Sequence, residues 1–182
     1  MNLKEKEVLG PYLSLPTAVV RDSFLAAVDE FEEAQEWSAD EANEARSDFD
    51  GYIERLKNRA HGEDLPEGYV PESIFWLIES NTYIGRISVR HQLTEKLKNF
   101  GGTIGYAIRP SERRKGYGKK LLALGLHKAA ELGINEVILT CDETNVGSRR
   151  IIEANGGELL EGGVKMEDQS VPKRRYKIAA KK

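Results

Sequence analysis

Arg113, Arg114, Lys115, Lys119 and Lys120 crowd five positive charges into eight positions, around Gly116-Tyr117-Gly118. The chemistry such a string can do is to hold a phosphorylated ligand. Its basic side chains attract the charge, and glycines without Cβ atoms let phosphate oxygens reach the backbone. The string also stands where a helix should begin. Thr103 to Arg109 is apolar and β-prone and reads as a strand; Pro110 lacks a backbone donor and ends it. Beyond Gly118, Leu122, Gly125, Leu126, Ala129 and Leu132 recur at helical spacing, with Gly133 as the stop. The first N–H groups of a helix have no internal partners and lie at the positive end of its dipole, so an anion there meets amides and charge together. The same residues also suit an ordinary strand–turn–helix whose glycines serve packing.

Two familiar phosphate motifs are excluded. No G-x-x-x-x-G-K-[ST] string occurs, and a dinucleotide fingerprint starting at Gly116 would need glycine where Leu121 stands. Other chemistry-bearing residues are dispersed. Asn145 and Ser148 follow a second strand, Glu136 to Cys141, as an N-cap and its first-turn partner would. His91 stands at the end of a strand, and histidine is the side chain that changes charge nearest neutral pH. Glu72, Glu79 and Asp142 are carboxylates that could move a proton through water. Cys141 is a conceivable nucleophile, but a small residue closing a strand reads as core.

With its context, Arg113-Arg114-Lys115-Gly116-Tyr117-Gly118 resembles the acetyl-coenzyme A signature [R/Q]-x-x-G-x-[G/A] of the GNAT acetyltransferase superfamily. Asn145, Ser148 and Gly156-Gly157 resemble the superfamily's next segment. The resemblance spans Ile74 to Leu160, and its wording is similar to a bacterial branch of predicted acetyltransferases. It implies an α/β (α+β) fold: a mixed, mostly antiparallel sheet of six or seven strands flanked by helices. Its central parallel strands, ending at Pro110 and Cys141, should splay apart, with acetyl-CoA between them. By resemblance, the N–H of Ile108 polarises the acetyl carbonyl. Amides from Arg113 through Arg114, Lys115, Gly116, Tyr117 and Gly118 to Lys119 hold the pyrophosphate, and Asn145 and Ser148 flank the cofactor arm. The implied reaction is direct transfer of the acetyl group to a primary amine of a small molecule or peptide, without a metal. His91 and Glu72 are the candidate bases. One departure stands out: the tyrosine that protonates the leaving thiolate in many members falls at Ile152, with Tyr106, Tyr117 and Tyr176 as substitutes. That departure keeps open a non-catalytic acyl-CoA-binding sensor.

The elements that must position these residues follow from the rest of the chain. At 182 residues it is read as one domain, 1–182, with a core over 74–160 and a variable region over 17–70 that by resemblance shapes the acceptor pocket. Hydrophobic residues at 40% and charged residues at 31% indicate a globular chain. A net charge of −3 argues against nonspecific nucleic-acid binding, and no apolar run approaches a membrane span. A single cysteine excludes an internal disulfide, and with no apolar leader the expected compartment is the cytoplasm. Oligomeric state is open, a homodimer included. Val8 to Leu15 reads as a first strand. Thr17 caps a helix carrying Val20, Phe24, Ala27, Val28 and Phe31. Trp37 to Arg46 reads as a polar helix end or loop, and Ser47 to Asp50 as a capping box opening a helix through Tyr52, Ile53 and Leu56. Ile74 to Glu79 and Tyr83 to Arg90 form a hairpin, with Gly85 at a bulge or close approach. Glu158 to Lys165 and Val171 to Ala179 close the sheet around Glu167-Asp168. The acids of Asp29 to Asp50 suit either a cationic acceptor or a solvated helix face.

Overall fold

In the computed structural model, which describes residues 10–63, 65–160 and 171–181, the central hairpin sets the layers. Its strands, β2 (Glu72–Glu79) and β3 (Thr82–Arg90), turn through Ser80 and Asn81, both at positive φ. That two-residue geometry matches the twist of paired strands. Side chains alternate across a strand, so Ile74, Trp76 and Ile78 join one buried cluster and Leu77 the other. β1 (Tyr12–Ser14) and β4 (Ile104–Ile108) complete an antiparallel sheet ordered β1-β2-β3-β4. β5 (Glu136–Asp142), β6 (Glu158–Leu159) and β7 (Lys173–Ala179) form a second antiparallel sheet, ordered β5-β7-β6.

The two sheets meet where β4 begins. Thr103 donates its N–H to the Ile138 carbonyl at 2.6 Å, and its Oγ1 accepts from the Ile138 N–H at 3.0 Å. Past that point no ladder joins β4 to β5 among the described residues. The seven strands therefore divide four and three at the expected splay.

Helices cover both faces. α1 (Arg21–Glu33), α2 (Ala39–Ser47) and α3 (Phe49–Asn58) close over an aromatic core in which Phe24 stacks on Trp76 with centroids 4.5 Å apart. α4 (Tyr117–Glu131) buries Leu121, Leu122, Leu126 and Ala129 on the opposite face, and α5 (Val146–Ala154) packs beside it.

Several sequence expectations shift. Trp37 to Arg46 is largely helix: Ser38 caps it by accepting from Glu41 N–H at 3.3 Å, and only Ala42 and Ala45 are buried. Two alanines make too weak an apolar stripe to show as periodicity. The cap of α3 is Asp48, one residue beyond the expected box, accepting from Gly51 N–H at 3.0 Å. Thr17 caps a short 3-10 turn, Ala18–Val20, that leads into α1. Leu132 follows α4 and is 42% exposed; Leu121 fills the stripe instead. The first strand is shorter than Val8 to Leu15, and Val8 itself lies outside the described residues. So do the expected extension to Lys165 and the turn at Glu167-Asp168.

Several acids of α1 and α2 are tied to arginines. Arg46 bonds Asp29 and Glu32, Arg55 bonds Glu44, and Arg86 bonds Glu41 at 3.1 Å. Glu30 anchors the end of β4, accepting from Arg109 Nε at 2.8 Å, Ser111 N–H at 2.9 Å and Ser111 Oγ at 3.0 Å. Burial by itself would raise the Glu30 pKa; the Arg109 and Ser111 bonds outweigh it and lower the value. The folded state thus binds the Glu30 proton more weakly than the unfolded chain. Its stabilisation is present above the ordinary glutamate pKa of about 4.3 and is lost as the pH falls through the lower folded value. Glu30→Gln is expected to cost about 1–3 kcal/mol at neutral pH. Urea denaturation should show that difference narrowing in acid; a difference independent of pH would rule the carboxylate out as its source.

Candidate active site

Alternation along β4 decides which of its backbone groups are free. Arg109 N–H donates to Ile84 O at 2.9 Å, and Arg90 N–H to Thr103 O at 2.8 Å. Bonded and unbonded pairs alternate in an antiparallel ladder. Tyr106 and Ile108, opposite Ile87 and Gly85, therefore fall in unbonded pairs, and their amides and carbonyls point away from β3. That is the side from which β5 has diverged. Arg113 Nε donates to the Ile108 carbonyl at 3.1 Å, while among the described residues the Ile108 N–H has no partner.

The turn after β4 leaves a second set of amides free. Arg114 sits at φ 62° and Gly116 at φ 87°, and Gly116 is the N-cap of α4 with no side-chain cap. Lys120 N–H bonds the Gly116 carbonyl at 3.3 Å, so the N–H groups of Tyr117, Gly118 and Lys119 precede the first helical bond. Gly116 is needed for its left-handed backbone, since a Cβ there would meet nothing within 4 Å. Gly118 lies close against α5: a Cβ there would sit 2.5 Å from Ile151 Cδ1, the end of a flexible side chain.

Asn145 Oδ1 accepts from Ser148 N–H at 2.9 Å and caps α5. The Ser148 hydroxyl lies 2.8 Å from the Tyr106 hydroxyl, a bridge between α5 and β4 across the splay. Burial pushes the Tyr106 pKa up to about 12, although the Ser148 bond pulls the other way. The phenol holds its proton at neutral pH.

These groups share one cleft of about 670 Å³. Of the residues expected there, Ile108, Arg113, Arg114, Gly116, Gly118, Lys119, Asn145 and Ser148 line it. Lys115 instead pairs with Glu112 at 2.9 Å, and the Tyr117 hydroxyl bonds Glu79. Glu36, Tyr106 and Ile151 also line the cleft. Glu36 bonds Arg113, a contact that nothing local in the sequence signals. Ile152 is fully buried in the core, so the α5 side chains facing the cleft are those of Ser148 and Ile151.

Glu72 and His91 lie elsewhere. Glu72 lines a smaller cleft of about 210 Å³ that shares Tyr106 and Ala107 with the first. Arg59 holds it at 3.2 Å and Arg90 at 4.0 Å. His91 Nε2 is 2.9 Å from Ser73 Oγ, its N–H bonds Pro71 O, and it lines neither cleft. His91→Gln is expected to leave kcat within about twofold, as surface changes away from a site do; a loss beyond tenfold would restore it as a base. Burial raises the Cys141 thiol pKa, against a ready nucleophile. Among the described residues no cluster of three or more metal-ligating side chains forms, and no helix is long and apolar enough to cross a membrane.

The family model for the acetyltransferase (GNAT) domain matches residues 17–158. The chain belongs to the GNAT acetyltransferase family. No curated protein matches its sequence. Among solved structures it is similar to the Salmonella typhimurium acetyltransferase that modifies the N-terminal serine of 50S ribosomal subunit protein L7/L12. The TM-score is 0.65 at 15% identity, covering 93% of this chain and 94% of that one. It is also similar to the microcin C7 self-immunity acetyltransferase MccE in complex with acetyl-CoA and AMP, with TM-score 0.64, 14% identity, and 93% and 92% coverage. A third is a ribosomal L7/L12 α-N-protein acetyltransferase in complex with coenzyme A, with TM-score 0.65, 16% identity, and 94% and 96% coverage. These likenesses establish the fold of this GNAT protein. The family match begins at residue 17 and so takes in α1 to α3 as well as the glycine turn.

Proposed function

We propose that this protein is an N-acetyltransferase that moves an acetyl group from acetyl-CoA to a primary amine of a small molecule or peptide. One observation carries the reading: the unpartnered Ile108 N–H and the uncapped start of α4 open into the same cleft. A ligand with a carbonyl at one end and a diphosphate at the other matches that pairing of donors. The first-turn amides of α4, with Arg114 and Lys119, would hold the diphosphate. The Ile108 N–H would donate to the acetyl oxygen as negative charge grows there, and Asn145 would flank the arm. The relatives solved with acetyl-CoA or coenzyme A, and those acting on a protein amino terminus, support the same assignment. On this reading residues 17–70 form the acceptor side and 74–160 the donor core of one domain.

In the reaction the neutral amine forms a C–N bond to the carbonyl carbon, the C–S bond breaks, and the amine's proton leaves through water to the sulfur. Tyr106 is the cleft's phenol and stands beside Ser148. A thiol ordinarily ionises near 8.5, well below a phenol at about 12. Tyr106 therefore stabilises the departing thiolate by donating a hydrogen bond and keeps its proton.

Because Ile152 is in the core, α5 supplies no phenol to the cleft, which favours as second reading a sensor that binds acyl-CoA without turnover. Coenzyme A release, followed with a thiol reagent over a panel of amines, decides between them. Amine-dependent release supports the enzyme; saturable acetyl-CoA binding with no release by any amine supports the sensor.

A further inference from the structure

The smaller cleft shares Tyr106 and Ala107 with the larger one, so a molecule in it adjoins the place where the acetyl group would sit. Its floor follows from cross-strand register. Glu72 stands opposite Arg90, Ile74 opposite Ser88 and Trp76 opposite Arg86 on β2 and β3. On β4, Gly105 stands opposite Ser88 and Ala107 opposite Arg86. Glycine and alanine keep that part of the floor low, so the arginines rise beside it as a wall. Arg59, at the end of the N-terminal helices, supplies the third guanidinium.

The charges do not cancel. Arg59, Arg86 and Arg90 face the carboxylates of Glu72, which Arg59 and Arg90 share, and of Glu41, which takes Arg86. One positive charge is left over. The Arg59 and Arg90 side chains are each 23% exposed, so they are enclosed by the cleft yet reachable from it. Arg59 spends a donor on Glu72, leaving most of its five N–H groups available. Arg86 lies over the Trp37 ring, 4.4 Å from its centroid, and is held in place. A rigid guanidinium fork of this kind suits a carboxylate. A polyamine or lysine-rich acceptor would meet like charge.

Building on the proposed acetyl transfer, we infer that the acceptor is an amine that also carries a carboxylate, received by Arg59 and Arg90 beside the Tyr106 end of the donor cleft. The acids of residues 29–50, which alone would suit a cationic acceptor, are largely taken up by arginines and leave this cleft basic.

The test uses the full chain with acetyl-CoA and two probe sets. The first is an ω-amino acid, the alkylamine and the diamine of equal chain length. The second is a short peptide with a free amino terminus and an acidic second residue, beside its lysine counterpart. Binding is measured by calorimetry in the presence of coenzyme A, and turnover by thiol release. The carboxylate-bearing member of at least one set should bind and turn over at least about tenfold better, the usual scale of one charge-assisted contact. The set that shows the preference tells a small acceptor from a peptide. Arg59→Gln should remove the preference while leaving acetyl-CoA affinity unchanged. Equal binding of all probes, no binding by any, or a preference for the diamine or lysine peptide overturns the inference. Carboxylate-selective binding without thiol release would uphold the carboxylate site at Arg59 and Arg90 and reject the enzyme reading instead.

Discussion

Gly118→Asp is expected to raise the dissociation constant for acetyl-CoA by at least about a hundredfold, equal to ~2.7 kcal/mol. Two terms act together. The new carboxylate sits in the first turn of α4, among the amides proposed to receive a diphosphate, and sets like charge against the ligand. Its Cβ also points at Ile151 Cδ1, 2.5 Å away. Gly118→Ala separates the two, because Ile151 Cδ1 is the free end of a flexible side chain and can yield. Alanine should therefore stay within about fivefold of wild type, the scale of a ~1 kcal/mol adjustment. Calorimetric titration of both variants, with thermal melts to show that each folds, gives the answer. Equal losses would make Gly118 a packing residue only, and no loss in either would remove the α4 turn from the binding site.

Tyr106→Phe is expected to lower kcat by about 10- to 100-fold, the worth of a 1.5–3 kcal/mol hydrogen bond to a charged group. The KM for acetyl-CoA should hardly move, because sulfur gains charge only as the C–S bond breaks. A structural role would look different. Losing the bridge to Ser148 would weaken α5 against β4 and shift affinity together with stability. A second readout is the thiol leaving group: an acyl donor with a more acidic thiol should restore much of the lost rate in the phenylalanine variant. If kcat is unchanged, the thiolate departs into solvent unaided.

Local chemistry was legible wherever a residue's role depends on its neighbours in the chain. Gly116 at a left-handed cap and Asn145 capping α5 are both set by short-range geometry, and the sequence pattern points to each. Helical and strand periodicity likewise placed the stripe of α4 and the hairpin. What the sequence did not show depends on register and on distant partners. Arg86, Ser88 and Arg90 read as polar positions in a strand; only pairing with Gly105 and Ala107 makes them a cleft wall. Tyr106 and Ser148 are 42 residues apart. α2 was missed because its buried side is two alanines, which bury little area and leave no periodic signal.

The bond between Glu36 and Arg113 has a further consequence. Glu36 lies in the connection between α1 and α2, immediately before the tryptophan ring that backs Arg86. On the proposed function, an anionic donor in the larger cleft would compete with Glu36 for the Arg113 guanidinium, and so would bear on the segment that sets Trp37 against Arg86 at the edge of the smaller one.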